Sequence, residues 1–555
     1  MGISRRSILT SAVAGSALAA VAGTELAGAP AASAASPPGD VVGKITVGYQ
    51  GWFAATGDGS PINGWWHWSQ NWGQPPSPSN TTIISWPDMR EYTNGYQTAY
   101  ANLGNGQPAR LFSSYDQQTV DTHFRWMQQY GCDTAALQRF NPFGGEGAIR
   151  DAMAAKVRTA AEAYGRKFYI MYDVTNWTNM QSEIKTDWTN KMRAYTSSPA
   201  YAVQNGKPVV CIWGFGFNDP GRPFAPAACL DVINWFKAQG CYVIGGVPTW
   251  WRTGVSDSRP GFLDVYHAFN MISPWMVGRA GTLADLDSYY NNVNVGDQAD
   301  CNAHGIDYQP CVMPGDLSSG HRRHGDFMWR HFYNMVRLGC QGIYISMFDE
   351  YNEGNQIAKT AENASMQPTN FGRRALDEDG TPCSSDYYLR LTADGGRMLK
   401  GQLALTATRP TQPVLGSGGN PPPSSGVMSL RARVNGQYVT AENAGAAPLV
   451  ANRAAVGGWE QFDLVDLGGG NVALRARVNG RYVCADNAGA VPLIANRTAV
   501  GPWETFRLVR NGNGSVSLQA AANSRYVQAA DAGAAPLVAA GTTIGSWEQF
   551  DLTNL

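Results

Sequence analysis

The apolar positions of this chain fall into two rhythms. Over residues 44–400, short apolar runs rich in Val, Ile and Tyr alternate with longer stretches whose apolar positions recur every three or four residues. Eight of the short runs have the unbroken apolar character of strands buried on both faces: 44–49, 134–138, 167–173, 208–213, 242–248, 268–274, 307–313 and 342–348. Between the first two, Val120, Phe124, Met127 and Gly131 keep helical spacing, and Met153, Val157, Ala160 and Tyr164 repeat it after the second. Strands that alternate with amphipathic helices pair in parallel through right-handed crossovers, and eight such units close into a (β/α)8 barrel of the α/β class.

Beyond residue 426 the rhythm changes. Leu430, Leu474 and Leu518 recur every 44 residues, as do Tyr438, Tyr482 and Tyr526, and Trp459, Trp503 and Trp547, within short strand-like runs separated by glycine turns. Threefold repetition of this kind predicts an all-β β-trefoil whose equivalent apolar residues share one core, so the repeated Tyr and Trp are expected inside. Between the two rhythms, residues 406–426 turn to Pro, Gly, Ser and Thr, including Pro421-Pro422-Pro423-Ser424-Ser425-Gly426, the composition of a linker. The expected organisation is a barrel domain over 41–405, a linker over 406–426 and a trefoil over 427–555.

Residues 1–34 read as an address rather than a fold element. Ser4-Arg5-Arg6-Ser7-Ile8-Leu9 is a twin-arginine start, an Ala-rich apolar stretch follows, and Ala32-Ser33-Ala34 offers a small-x-small cleavage site. This predicts a secreted protein exported already folded, whose folding does not depend on disulfides formed outside the cell. No later apolar run approaches the ~20 residues of a membrane span. The formal net charge is −1 and only 15% of the 555 residues are charged, so no basic stripe is present to hold nucleic acid. The mature chain is expected to be a soluble monomer. Eight of the nine Cys lie in the barrel domain, and Cys301 and Cys311, which flank a loop, are the candidate bridge. His321-x-x-His324 offers two nitrogens and no acidic third ligand nearby, so neither a metal nor a cofactor is expected.

Candidate chemistry gathers at the last strand. The run 342–348 leads straight into Asp349-Glu350-Tyr351-Asn352-Glu353-Gly354. In barrel enzymes catalytic side chains project from the carboxyl ends of the strands. Breaking a glycosidic bond needs one carboxyl to protonate the leaving oxygen and a second to assist at the sugar ring. Glu-x-x-Glu alone is a common solvated helix pattern. Two acids directly behind a buried strand, ahead of a glycine and beside Tyr351, Asn352 and Gln356, are not that pattern, and Glu350 and Glu353 are the candidate catalytic pair. Other strand ends offer Tyr49, Trp52, Arg139, Asp173, Trp213, Trp250 and Trp275 as candidate substrate contacts, joined by Tyr351 and Asn352 from the motif. Sugars stack their apolar faces on aromatic rings, and the cluster Trp52, Trp65, Trp66, Trp68 and Trp72 supplies such rings, although rings also fill cores.

The segment Met347-Phe348-Asp349-Glu350-Tyr351-Asn352-Glu353-Gly354 resembles the strand-eight motif of glycoside hydrolase families 71 and 99. Leu111-Phe112-Ser113-Ser114-Tyr115-Asp116 with His123, Trp126-Met127 and Gly131-Cys132-Asp133 is similar to their first helix and second strand, and Arg323-His324-Gly325-Asp326-Phe327-Met328-Trp329 to the run that precedes the motif. The resemblance implies a retaining glycosidase acting on an α-linked polysaccharide of the mannan or 1,3-glucan type. It implies further that Glu350 deprotonates the substrate 2-hydroxyl, which attacks its own anomeric carbon, and that Glu353 is the acid/base. Asp349 stands where family 99 commonly has Asn, and Tyr351-Asn352 replaces its Trp-His; a carboxyl added beside Glu350 is expected to raise one of the pKa values by repulsion. Residues 427–555, with Tyr438-Val439-Thr440-Ala441-Glu442-Asn443-Ala444-Gly445 and Trp459-Glu460, resemble fascin-like trefoils. That implies a carbohydrate-binding domain, with Glu442, Asp486 and Asp531 as candidate sugar contacts. The rival expectations are a noncatalytic polysaccharide-binding protein and a glycosidase acting on xylan or arabinan side chains.

Overall fold

The computed structural model describes residues 36–414, 427–468, 471–511, 513 and 515–554. The chain divides into two compact units between Val414 and Leu415. The expected leader and residues 415–426 of the expected linker lie outside the described residues. Residues just before residue 415 are bonded to the first unit: Trp329 Nε1 donates to the Thr406 carbonyl at 3.1 Å and Thr411 Oγ1 to Asp394 Oδ2 at 2.6 Å. The first unit therefore runs on past Leu405. Among the described residues no helix is long and apolar enough to cross a membrane.

The first unit is an eight-stranded parallel barrel. Its strands are β1 (Ile45–Tyr49), β2 (Thr134–Arg139), β3 (Lys167–Asp173), β4 (Lys207–Trp213), β5 (Tyr242–Val247), β6 (Met271–Pro274), β7 in two halves (Asp307–Tyr308 and Cys311–Val312) and β8 (Ile343–Ile345). Each pairs with the next, and β8 returns to β1 in the register Val47 to Ile345. The first half of β7 pairs with β6 and the second with β8, the switch falling at Gln309-Pro310, where proline has no N–H to give to a ladder. Helices α1 (Gln117–Gln129), α2 (Gly147–Ala163), α3 (Met180–Asn190), α4 (Pro226–Ala238), α5 (Leu263–His267), α6 (Leu283–Tyr289), α7 (Val295–His304), α8 (Asp326–Leu338) and α9 (Tyr387–Leu399) accompany them.

Side chains alternate between the barrel interior and the helix layer. Contacts across the barrel identify the inward set: Gln138 Nε2 donates to the Tyr344 hydroxyl at 3.2 Å, and Gln309 Nε2 to Thr46 Oγ1 at 3.2 Å. Hence Thr46, Gly48 and Gln50 face inward from β1, while Tyr49 points out to α1. The same parity turns Gln138 and Phe140 inward and Arg139 outward.

The second unit is separate and all antiparallel. Three successive repeats of four strands run Val427–Ala432 to Phe462–Gly468, Asn471–Ala476 to Phe506–Arg510, and Val516–Ala520 to Phe550–Asn554. The first strand pairs with the last, Leu430 opposite Leu552, which closes the set. Leu430, Leu474 and Leu518 meet Phe462, Phe506 and Phe550 in the buried centre. The repeated tryptophans are not there. Trp459, Trp503 and Trp547 are 37%, 39% and 39% exposed, and the repeated tyrosines are half-buried, so threefold recurrence here marks a surface position as well as a core. The candidate bridge is also absent, since Cys301 is a buried free thiol on α7.

Candidate active site

The chain leaving β8 folds back on itself at once. Met347 N–H donates to the Asn355 carbonyl at 3.1 Å and Ile357 N–H to the Met347 carbonyl at 3.0 Å, closing a loop over residues 347–357. Within it, Glu353 and Gly354 N–H both donate to the Glu350 carbonyl, at 3.2 and 3.1 Å. These two bonds wind residues 350–354 into a single turn, which brings the backbones of Glu350 and Glu353 together. Gly354 ends the turn at φ +72°, where any other residue would be strained and its Cβ would come within 2.8 Å of Ile84 Cδ1. The buried Arg322 guanidinium holds the loop from below, donating to the carbonyls of Gly354 at 3.0 Å and Gln356 at 2.7 Å.

Both acids are withdrawn from bulk water: Glu350 is 0% exposed and Glu353 3%. Glu350 Oε1 accepts from Gln50 Nε2 at 2.6 Å, so the end of β1 orients the carboxyl at the end of β8. Asp349 has a different task. Its two oxygens accept the backbone N–H groups of Gln50 and Gly51, each at 2.8 Å, which ties the two strand ends together. Burial raises the Asp349 carboxyl to about 7 against the pull of those amides, and Glu350 adds to the rise. The like-charge effect expected from sequence is present, therefore, but burial outweighs it.

Beside the acids, where β1 and β2 follow β8 around the barrel, stands a wall built from the ends of β1 and β2 and from α2. Trp52 stacks on His67 at 3.9 Å and on Phe140 at 5.9 Å, and the Arg150 guanidinium lies over Phe140 at 4.9 Å. Trp52 Nε1 is buried with no hydrogen-bond partner among the described residues. Arg150 also donates to the Gln50 carbonyl at 2.8 Å and pairs with Glu146 at 2.6 Å. Burial pushes the Glu146 carboxyl up, but Arg150 brings it below its ordinary value; burial lowers His67 to about 3 and keeps its ring neutral. Asp173, at the end of β3, is fully buried, acts on Glu146 electrostatically, and accepts Thr175 N–H and Oγ1–H at 3.0 and 2.6 Å.

On the other side of the mouth, Trp213 of β4 meets Trp275 after β6 edge to face at 5.5 Å. They reach each other across β5 at Gly246, where a Cβ would lie 2.2 Å from Trp213 Cδ1. Trp250 is half-buried and its ring tilts against Tyr289 at 6.0 Å. Asn352 is half-buried and its Oδ1 finds no partner among the described residues.

Three of the expected substrate contacts lie elsewhere. The Tyr49 hydroxyl hydrogen-bonds His123 Nδ1 of α1 at 3.0 Å, on the helix side of the barrel. Arg139 is outward too, bonded to Asp187 of α3 at 2.5 Å and Asp151 of α2 at 2.7 Å. Tyr351 is buried among Phe53, Phe112 and Trp68, its hydroxyl donating to the Lys359 carbonyl at 2.9 Å. Parity decides the first two, and the turn that pairs the acids turns Tyr351 away. Conversely, Gln50, His67, Glu146 and Arg150 were not among the sequence candidates. Gln50 follows Tyr49 by one position, and Glu146 and Arg150 are an i, i+4 pair opening α2, which are the signals that point to them.

In the second unit Glu442 pairs with Arg453 at 2.8 Å and Asp486 with Arg497 at 3.0 Å. Asp531 is not their equivalent. The 44-residue period aligns it with Asn443 and Asn487, and Ala530 holds the third carboxylate's position. His324, half of the sequence pair of histidines, hydrogen-bonds Asp379 at 2.7 Å. Potential metal ligands converge instead in His267, Asp300 and His304, at the amino ends of β6 and β7, with ligand atoms within 4.8 Å of one another. In the structure these groups bond one another, His267 Nε2 lying 2.7 Å from Asp300 Oδ1.

No family model matches the chain, and no curated protein matches it. Among solved structures the chain is similar to the GH99 endo-alpha-mannosidase from Bacteroides thetaiotaomicron, at 15% identity and a TM-score of 0.48, over 65% of this chain and 98% of that one. It is similar also to the designed threefold-symmetric protein ThreeFoil, at 26% identity and a TM-score of 0.22, over 23% of this chain and 99% of that one. A third likeness is to the exo-beta-1,3-galactanase 1,3Gal43A from Clostridium thermocellum, at 17% identity and a TM-score of 0.22, over 24% of this chain and 31% of that one.

Proposed function

We propose that the protein is a secreted retaining glycoside hydrolase acting on an α-linked polysaccharide of the mannan or 1,3-glucan type, held on its substrate by the second unit as a β-trefoil. The observation that carries the reading is the pair Glu350 and Glu353, buried one helical turn apart where β8 ends, with Gln50 Nε2 on Glu350 Oε1 at 2.6 Å. Burying two carboxyls costs stability, and their use in catalysis accounts for their presence together behind a barrel strand. Trp52, Trp213 and Trp275 gather at other strand ends but are 6%, 2% and 2% exposed and packed on neighbouring rings, so the carboxyl pair carries the reading without them.

In this reading Glu350 takes the proton of the substrate 2-hydroxyl as O2 attacks the anomeric carbon, while Glu353 protonates the departing glycosidic oxygen. Glu353 then takes a proton from the water that attacks the same carbon, and Glu350 returns the proton to O2, so configuration is retained. Gln50 orients Glu350 for that exchange. The sequence resemblance to families 71 and 99 supports this division of roles and the α-linked substrate.

The test is release of reducing sugar from α-mannan, α-1,3-glucan, xylan and arabinan by the wild type and by Glu353→Gln. Turnover of an α-linked glycan is expected, with a fall of about 10²- to 10⁴-fold in the variant. Absence of cleavage of any glycan by the wild type overturns the hydrolase reading, and undiminished turnover by the variant overturns the role given to Glu353.

A further inference from the structure

The three repeats of the second unit form an internal comparison between what the fold needs and what it does not. Some polar residues recur in all three. Glu460, Glu504 and Glu548 are nearly buried and accept the backbone N–H of Gly457, Gly501 and Gly545 at 2.7, 2.8 and 2.8 Å. Asn435, Asn479 and Asn523 donate to the carbonyls of Ala451, Ala495 and Ala539 at 2.8, 2.8 and 2.9 Å. The glutamate bonds close the loop that displays Trp459, Trp503 or Trp547, the asparagine bonds tie a turn to the strand sixteen residues on, and both are the same in each repeat.

A second set is present twice and missing once. In the first repeat Arg453 lies 2.8 Å from Glu442 and 2.7 Å from Asn452 Oδ1, and Asn452 Nδ2 donates to Glu442 Oε1 at 2.8 Å. In the second, Arg497 lies 3.0 Å from Asp486 and 2.8 Å from Asn496 Oδ1. The third repeat has Ala530, Ala540 and Gly541 at these positions, so all three partners are gone together. The third repeat keeps its strands without them. Ion pairs this exposed add little to stability, so folding does not explain their presence in the other two.

Each set adjoins an exposed indole. The Trp459 carbonyl accepts Ala441 N–H at 2.9 Å, next to Glu442, and the Trp503 carbonyl accepts Ala485 N–H at 2.8 Å, next to Asp486. Arg453 and Trp459 line one open cleft of about 450 Å³ together with Ala455, Val456 and Glu460. A flat apolar ring beside a carboxylate acceptor and guanidinium and amide donors matches a pyranose, which offers one C–H face and adjacent hydroxyls that both give and accept hydrogen bonds. An anionic ligand would meet an arginine whose charge is already balanced.

We propose that the second unit carries two neutral-sugar sites, one at Trp459, Arg453, Glu442 and Asn452 and the other at Trp503, Arg497, Asp486 and Asn496, and that the third repeat is blank. The inference rests on the glycan-anchoring reading and adds which repeats anchor. Two sites on one unit engage one polysaccharide chain or surface together, so loss of either removes the gain from bivalency.

The experiment measures retention of the full chain carrying Glu353→Gln on insoluble α-mannan, α-1,3-glucan, xylan and arabinan and, as a charged control, on pectate. Arg453→Ala, Arg497→Ala, the double variant, Trp459→Ala and Trp547→Ala are each added to it, with thermal melting to confirm folding. On a neutral glycan each single change in the first two repeats is expected to weaken retention by about tenfold or more, and the double change to remove the contribution of the second unit. Trp547→Ala is expected to leave it intact. Equal weakening by Trp547→Ala, indifference to both arginine changes, or retention on pectate alone overturns the two-site assignment while leaving anchoring in place. If no polysaccharide retains the parent chain, anchoring itself falls, and cleavage by the wild type still reports separately on the barrel.

Discussion

Gln50 holds Glu350 through its side chain, Nε2 to Oε1 at 2.6 Å, at the seam where the barrel closes. Its own carbonyl is held in turn by Arg150 at 2.8 Å. A carboxyl fixed in this way is positioned before substrate arrives, and small displacements of a reacting group are expensive in rate. Gln50→Ala is therefore expected to lower kcat by about 10- to 100-fold with KM little changed. Steady-state kinetics on the glycan that the wild type cleaves measure this. A rise in KM at constant kcat would assign Gln50 to substrate binding instead.

The backbone N–H groups of Gln50 and Gly51 are both given to Asp349, whose folded pKa of about 7 lies above the ordinary aspartate value of 3.8. A raised folded value means that the folded state holds the proton more tightly than the unfolded state. The stability this confers is full below about pH 4 and is lost as the pH rises through about 7. Asp349→Asn carries no titrating group and turns an NH2 toward a backbone N–H, costing about 1–3 kcal/mol for the donor left unbonded. Urea titrations of wild type and variant are expected to show the largest difference near pH 4 and a smaller one near pH 8. A difference independent of pH would mean that Asp349 is ionised throughout.

The eight strands were legible because parallel strands covered on both faces are unbroken apolar runs, and β3 and β5 illustrate this with Phe168 to Tyr172 and Tyr242 to Val247. The same property hid the site. Where both faces of a strand are apolar, the pattern carries no alternation, and nothing in it tells which residue at a strand end faces the barrel interior. Tyr49 and Gln50 differ by one position, as do Arg139 and Phe140, and only the register of the closed barrel separates the outward member of each pair from the inward one. The acids were legible for the opposite reason, since carboxyls directly behind a buried strand break its composition. In the second unit the 44-residue period gave the register of Trp459, Trp503 and Trp547 but not their side, because symmetry repeats surface positions as faithfully as core ones.

Arg139 separates a structural from a binding role. Its Nε and Nη2 grip both oxygens of Asp187 at 2.7 and 2.5 Å, Tyr172 adds a hydroxyl to Asp187 at 2.8 Å, and neither charged side chain is more than 2% exposed. Removing one partner of a buried pair leaves the other charge uncompensated, so Arg139→Ala is expected to destabilise the first unit by about 3–5 kcal/mol. Activity of the fraction still folded should keep its KM. Unchanged melting with a raised KM would restore Arg139 to the substrate.

His123 gives the sign of the acid response. It lies between the Tyr49 hydroxyl at 3.0 Å and the Tyr92 hydroxyl at 2.7 Å, and burial lowers it to about 3, as burial also lowers His67 and His331. A folded value below the unfolded one, about 6.5, means that the unfolded chain takes up the protons first. The contribution is therefore full above about pH 6.5 and is lost as the pH falls toward 3, at up to about 1.4 kcal/mol per pH unit for each ring. His123→Gln keeps a polar partner for the hydroxyls and cannot titrate. It should cost about 1 kcal/mol at pH 7.5 and show a shallower loss of unfolding free energy between pH 6.5 and 5 than the wild type, read from urea titrations at fixed temperature. Parallel curves would mean that His123 is protonated in the folded barrel, with the two tyrosine hydroxyls as its acceptors.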